Sequence, residues 1–181
     1  MAGFELALHV LLNHEGGYVN DKRDPGGATN YGVSLRWLRS QNIIDADLDD
    51  DGDVDEHDVR LLSRPQVAEL YRRAFWEPNN VQDIESQRVA IMLFGLIVNT
   101  GPKRAVKMLQ EALNVSRMRK SSLLVDGWLG PKTMEAINST DSTILINHYK
   151  KIARAFYSNI VRENPILDKF LVGWFRRVSS Y

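Results

Sequence analysis

Glu15, Asp24 and a run of acids from Asp45 to Asp58 are the residues whose types and spacing could carry chemistry in this chain. Glu15 follows a segment, residues 3–14, in which Phe4, Ala7, Leu8, Leu11 and Leu12 recur at helical spacing. It precedes Gly16-Gly17, and glycine ends helices because it takes the left-handed conformation that a terminus needs. A carboxyl group at that helix end faces the negative pole of the macrodipole. Partly buried there, it would hold its proton more tightly, as a general acid must. The plainer reading is a solvated glutamate at a frayed helix end. Asp24 precedes Pro25-Gly26-Gly27, so it can serve chemistry or simply build that turn.

The acidic stretch has a pattern of its own. Asp47, Asp49 and Asp51 alternate, Gly52 stands sixth, Val54 eighth and Asp58 twelfth. This is the spacing of the twelve-residue EF-hand loop, in which oxygens at one, three and five wrap a hard cation and glycine at six permits the sharp turn. Asp53 would contribute its backbone carbonyl, Asp55 would act through water, and Asp58 stands where a longer glutamate usually binds. The expected ion is Ca2+, held by Asp47, Asp49, Asp51, Asp53 and Asp58 and stiffening the fold rather than sensing calcium. The alternative is a disordered acidic loop. No organic cofactor is expected, the four histidines lack metal-ligand spacing, and the absence of cysteine excludes disulfides and thiolate metal sites.

The elements that must position these groups are helices. Leu35 to Gln41 can form a short helix with Leu35 and Leu38 inward. Pro65 suits a first turn and opens a segment with Val67, Leu70, Tyr71, Ala74 and Phe75 on one face, ended by Trp76-Glu77-Pro78. Residues 86–98 contain V-A-I-M-L-F-G-L-I-V, apolar almost all round, which marks a buried central helix; a strand is the alternative, disfavoured by length and lack of alternation. Gly95 inside it costs roughly 1 kcal/mol against alanine and therefore asks for a packing reason. A helix with Ala105, Met108, Leu109, Ala112 and Leu113 follows Gly101-Pro102, and a polar loop with Arg117, Arg119 and Lys120 follows that. Gly130-Pro131 opens a short helix through Met134 and Ile137. A long helix then carries Ile144, Leu145, Tyr149, Ile152, Phe156 and Ile160, and a last one packs Ile166, Phe170, Leu171, Trp174 and Phe175. The fold class is all-α, with a small β-hairpin after the first helix, within residues 18–33.

At 181 residues the chain can bury a proper core as one domain, or one domain with an appended lobe. No run of eighteen apolar residues is present, and Met1 to Glu5 reads as lacking a secretory signal. The net charge of zero hides an asymmetry: residues 45–58 carry nine acids without Lys or Arg, while residues 101–181 hold fourteen Lys and Arg against six Asp and Glu. Such a basic body can be drawn to an anionic polymer, a cell wall or a nucleic acid, or it can be an ordinary solvated surface. Tyr18, Tyr31, Trp37 and Trp76 lie in or near the glycine-rich stretch and could stack on sugar rings, whereas Trp128 and Trp174 read as packing residues.

The string E-G-G-Y-V-N-D at 15–21, continued by D-P-G-G-A-T-N-Y-G-V-S at 24–34, resembles the signature of glycoside hydrolase family 108. Glu15, Asp24 and Thr29 at their spacing resemble the catalytic set of phage-type lysozymes. The resemblance implies a lysozyme-like helical fold and an N-acetylmuramidase, endolysin-like, acting on peptidoglycan glycan strands. Its cut would fall at the β-1,4 bond between N-acetylmuramic acid and N-acetylglucosamine. It implies Glu15, Asp24 and Thr29 as catalytic and Tyr18, Asn30, Tyr31, Trp76 and Asn99 as substrate-binding; Asn99 can equally be a helix C-terminal residue. Gly95 stands where family members usually carry aspartate. Leu109-Gln110, Asp126-Gly127, Gly130-Pro131 and Thr133 resemble a peptidoglycan-binding helical motif, although each is also good helix punctuation. The implied organisation is a catalytic lobe, 1–100, containing the acidic loop at 45–58, and a peptidoglycan-binding-like lobe, 101–181. A monomer is expected, with no nucleic-acid partner and no membrane segment, reaching the wall through a holin or a secretion machine. Two other readings compete: a non-catalytic wall-binding or phage structural protein, and a chitinase-like hydrolase of a related glycan.

Overall fold

The structure is a computed structural model that describes residues 1–13, 17–20, 27–40, 46–117 and 122–181. It is mainly helical, as the apolar periodicity predicts. Packing divides the chain into two compact units, Leu8–Arg73 and Met1–Ala7 with Ala74–Tyr181. Helix α1, Phe4–Leu12, crosses that boundary and buries Phe4, Ala7, Leu8 and Leu11, the expected apolar stripe.

Within the first unit, strands β1 (Thr29–Asn30) and β2 (Val33–Ser34) pair antiparallel, Asn30 opposite Val33. The two-residue connection, Tyr31 at φ 49° and Gly32 at φ 80°, has positive φ at both positions. That is the primed turn whose twist matches the flanking strands. Glycine adopts it freely, but a tyrosine there is strained and needs outside support. Tyr71 supplies it by donating from its hydroxyl to the Tyr31 carbonyl at 3.2 Å, while the Arg64 guanidinium lies 5.6 Å from the Tyr31 ring centroid. Helix α2, Leu35–Ser40, buries Leu35 and Leu38. Helix α3, Glu56–Leu61, has no counterpart in the sequence reading, because only Val59 in its six residues is a buried apolar side chain. Its stability comes from its start: Asp55 accepts from the His57 N–H, and Asp58 reaches back to the Asp55 N–H at 2.7 Å, a capping box. Helix α4, Arg64–Tyr71, carries Pro65 in its first turn as expected and continues as a π-helical turn over Arg72–Trp76.

The second unit is organised around α5, Gln87–Thr100, which buries every side chain from Val89 to Ile97 except Ile91. Helix α6, Pro102–Ser116, packs against α5 and against α8, Ser142–Glu163. Helix α7, Pro131–Asn138, lies beside α6, and α9, Asp168–Ser180, covers α8. Tyr149 of α8 is fully buried and donates to the Ala105 carbonyl at 2.9 Å. Two details depart from the periodic reading. Ile144 is exposed and Ile146 buried instead, and Ile166 and Phe170 remain largely exposed; α9 stacks Trp174 on Tyr157 and fully buries only Val178, near its C-terminal end. That end explains Gly95. The ring of the last residue, Tyr181, lies so close to Gly95 that a Cβ there would overlap its Oη and Cζ.

Candidate functional site

Glu15 and Asp24 lie outside the described residues, but both flanks of the stretch that carries them are in place. Helix α1 ends at Leu12, with the Asn13 N–H still bonded to the His9 carbonyl at 3.2 Å. Val19 and Thr29 exchange both backbone hydrogen bonds at 2.8 Å, so an isolated bridge closes the segment between them, in which Asp24 falls. Thr29 is half-buried, and its hydroxyl makes a long 3.4 Å bond to the Gly27 carbonyl. That weak bond leaves the oxygen able to orient another group. Around it, the Tyr18 ring is half-buried with the Arg60 guanidinium 4.7 Å from its centroid. The Asn20 amide donates to Glu56 at 2.5 Å.

Two expected substrate residues are structural instead. Asn30 is 5% exposed, and its amide donates to the carbonyls of Val59 and Leu62 at 3.0 and 3.4 Å, tying the hairpin to the end of α3. Trp76 is 3% exposed, with Phe4 and Phe94 set edge-on against it at 5.4 and 5.3 Å, so it packs the core and offers no face to a sugar. Asn99 is exposed but occupied: its Nδ2 donates to the Gly95 carbonyl at 2.7 Å, and its Oδ1 accepts from Arg177. Its helix-terminal reading is the one this geometry matches. Among the described residues of the expected set in the Leu8–Arg73 unit, Tyr18, Thr29 and Tyr31 stay partly exposed.

The acidic loop is built as a turn around its own carboxylates. Asp47 accepts from the N–H groups of Asp51 and Gly52 at 3.2 and 2.9 Å, and Gly52 has φ 99°. Arg39 fixes the loop to α2 by donating to the Val54 carbonyl at 2.6 Å. Asp58, fully buried, accepts from Leu48 and Asp55 at 2.5 and 2.7 Å, one N–H per oxygen, which leaves each oxygen a second lone pair. Carboxylate oxygens of Asp47, Asp49 and Asp58 lie within 4.8 Å of one another, as do those of Asp53, Asp55 and Asp58. Positions one, three and twelve thus converge, while Asp51 at five is outside both groups.

Electrostatics in the loop follow from that crowding. His57 bonds to Asp49 at 2.5 Å, which holds the Asp49 carboxyl below its usual range and raises the imidazole above its own. Desolvation, then the charges of Asp51 and Asp55, raise Asp53. The other oxygen of Asp49, Oδ1, is buried without a hydrogen-bond partner. A buried, orphaned carboxylate oxygen beside two further carboxylates is a donor set that suits a hard cation.

In the second unit, Gln110 is 1% exposed and works as a hub. Its Nε2 donates to Asp126 Oδ1, the Trp128 carbonyl and Thr133 Oγ1 at 2.8, 3.1 and 3.3 Å, and its Oε1 accepts from the Gly127 N–H at 2.9 Å. The hydrogen bonds from Gln110 and from the Trp128 N–H keep the Asp126 carboxyl below its ordinary range. Gly127, at φ 81°, also passes close to the Lys103 carbonyl, where a Cβ would come to 2.6 Å. Four residues of the motif read from sequence, Gln110, Asp126, Gly127 and Thr133, are therefore one hydrogen-bonded cluster. Trp128, read as packing, is 68% exposed.

The sequence of residues 8–101 matches the family glycosyl hydrolase 108. The chain belongs to that family. Its match spans Glu15, Asp24, the hairpin and the acidic loop. Residues 104–179 match a second family, described as a predicted peptidoglycan domain, which takes in the Gln110 cluster. No curated protein matches the chain in sequence. Among solved structures it is similar to SagA of Brucella abortus, at 28% identity and a TM-score of 0.74, over 97% of this chain and 89% of that one. Family 108 membership and the peptidoglycan domain together make this chain a glycosidase that degrades peptidoglycan. Among the described residues, no helix is long and apolar enough to cross a membrane.

Proposed function

We propose that this family 108 glycosidase is an N-acetylmuramidase that cleaves the β-1,4 bond between N-acetylmuramic acid and N-acetylglucosamine. Glu15, two residues beyond the last turn hydrogen bond of α1, would protonate the glycosidic oxygen as the sugar takes on oxocarbenium character. Asp24 would stabilise that charge or, with Thr29, position water on the opposite face. The observation that carries the reading is the family match across residues 8–101, within which these three residues fall.

The acidic loop would hold a calcium ion through Asp47, Asp49 and Asp58, with Asp53 and Asp55 beside them. Bound there, the ion would neutralise the clustered carboxylates and stiffen the turn between α2 and α3. It would take no part in bond cleavage.

The test is Glu15→Gln, which keeps size and hydrogen bonding but removes the transferable proton. Lytic activity on purified peptidoglycan should fall by about two orders of magnitude or more with the fold intact. Mass spectrometry of the wild-type digest should show fragments with N-acetylmuramic acid at the reducing end. A folded variant with near-wild-type lysis rules out Glu15 as the acid, and fragments with N-acetylglucosamine at the reducing end rule out a muramidase.

A further inference from the structure

The C-terminal half of the chain contains a pocket of about 580 Å3 that lies outside the family 108 match and within residues 104–179, the peptidoglycan-domain match that by itself assigns no binding site, lined among others by Leu123, Leu124, Asp126, Trp128, Lys132 and Thr133. That volume falls within the range of small-molecule sites. Its wall includes two large apolar side chains in solvent, Leu124 at 77% exposure and Trp128 at 68%.

Trp128 is exposed yet held in place. Its N–H donates to Asp126 at 2.9 Å and its carbonyl accepts from the buried Gln110, so the backbone on both sides of the ring is anchored. Its indole rests on Gly130, where an added Cβ would come within 2.7 and 2.8 Å of Cζ3 and Cε3. Gly130 has φ −85°, which any residue can adopt; glycine is required there for the space the ring takes. The result is an indole fixed along one side and open to water elsewhere.

An open aromatic face with a carboxylate and an ammonium at its edge recognises sugars. The axial C–H bonds of a pyranose meet the electron-rich face, and hydroxyl or amide N–H groups bond to the carboxylate. Asp126 retains lone pairs for this, since its described bonds from Gln110 and Trp128 both fall on Oδ1, and the ammonium of Lys132, in the first turn of α7, lines the same pocket as a donor for a sugar oxygen. We propose that this pocket is a carbohydrate subsite that binds a 2-acetamido sugar of the glycan strand on the face of Trp128, apart from the bond that is cut. The proposal rests on the reading of the chain as a peptidoglycan glycosidase for the identity of the sugar.

The experiment uses the full chain carrying Glu15→Gln, so that substrate survives, with and without Trp128→Ala or Gly130→Ala. Each protein is pelleted with purified sacculi and with sacculi stripped of stem peptides by an amidase. Trp128→Ala should weaken binding to both about tenfold or more. Gly130→Ala, which pushes the indole off its seat, should weaken it less. In the chain with Trp128 intact, the indole N–H resonance of Trp128 should shift on titration with a soluble N-acetylglucosamine oligomer, a readout that needs no variant at position 128. Equal pelleting of the Trp128→Ala protein, binding that is lost when the peptides are removed, or an unmoved resonance each overturns the proposal. Hydrolysis of sacculi by the chain with its native Glu15 is scored separately. Cleavage with Trp128-independent binding removes the subsite and leaves the glycosidase, whereas Trp128-dependent binding without cleavage does the reverse.

Discussion

Replacing Gln110 by methionine tests whether the C-terminal cluster is held by polar contacts or merely contains them. Methionine keeps the length and approximate volume of glutamine in a site that is 1% exposed, so packing is little changed. It deletes the donor to Asp126, Trp128 and Thr133 and the acceptor for Gly127. The amide has two hydrogens for three acceptors, so one is shared, and the loss amounts to three bonds' worth. At roughly 1 kcal/mol net per bond, with water recovering part of the loss at the exposed Asp126, destabilisation should be about 2–3 kcal/mol. For a chain of this size that lowers the melting temperature by about 5–10 °C, read by circular dichroism. A fall under about 2 °C would show that the cluster contributes nothing net.

Gln110→Glu sharpens the test because it has the same shape with the donor removed. Above the carboxyl range, the introduced carboxylate faces that of Asp126, and the folded state raises the pKa of the new carboxyl above its unfolded value. The folded variant then binds more protons than the unfolded one, so its deficit against wild type should shrink as pH falls. Wild-type Asp126 behaves oppositely. Its pKa is held below the ordinary carboxylate range by its bonds from Gln110 and the Trp128 N–H, so its contribution is present above that range and is lost only as pH drops through the depressed pKa. A variant deficit that stays flat or grows on acidification refutes the assigned geometry.

Chelation should lower the melting temperature if the acidic loop holds calcium, since the carboxylates of Asp47, Asp49 and Asp58 would be left facing one another; added calcium should restore it logarithmically above its dissociation constant, and magnesium should do so poorly. An unchanged melting curve, with no ion carried through purification, would make the loop a hydrogen-bonded turn only. Gly95→Ala should destabilise by about 2–4 kcal/mol: expelling the Tyr181 ring forfeits on the order of 4 kcal/mol of burial, offset by about 1 kcal/mol of helix propensity. In a chain carrying Tyr181→Ala the same change should become neutral or stabilising, and additive free energies in that double-mutant cycle would exclude the contact.

Much of the architecture was legible because helices announce themselves locally. The stripe Phe4, Ala7, Leu8, Leu11, the all-round apolar run of α5 and the set from Ala105 to Leu113 each needed only their own neighbours to specify which face turns inward. Pro65 placed the first turn of α4 for the same reason. Helix α3 escaped because its signal is not hydrophobic; Asp55 and Asp58 stabilise its start by capping, and those aspartates also belong to the cation-loop pattern. Residue type likewise marked Asp47, Asp49 and Asp58 as a group, but convergence in space belongs to the turn at Gly52.

What side chains face was decided by tertiary structure, because exposure depends on partners distant in sequence. Trp76 is enclosed by Phe4, more than seventy positions earlier, and by Phe94, and Asn30 spends its amide on carbonyls at Val59 and Leu62. Gly95 looks like a helix fault until Tyr181 is laid across it. Trp128 reads as one more apolar residue in a polar loop. It stands in solvent because Gln110, eighteen residues earlier, ties down the backbone around it and Gly130 leaves its ring a seat.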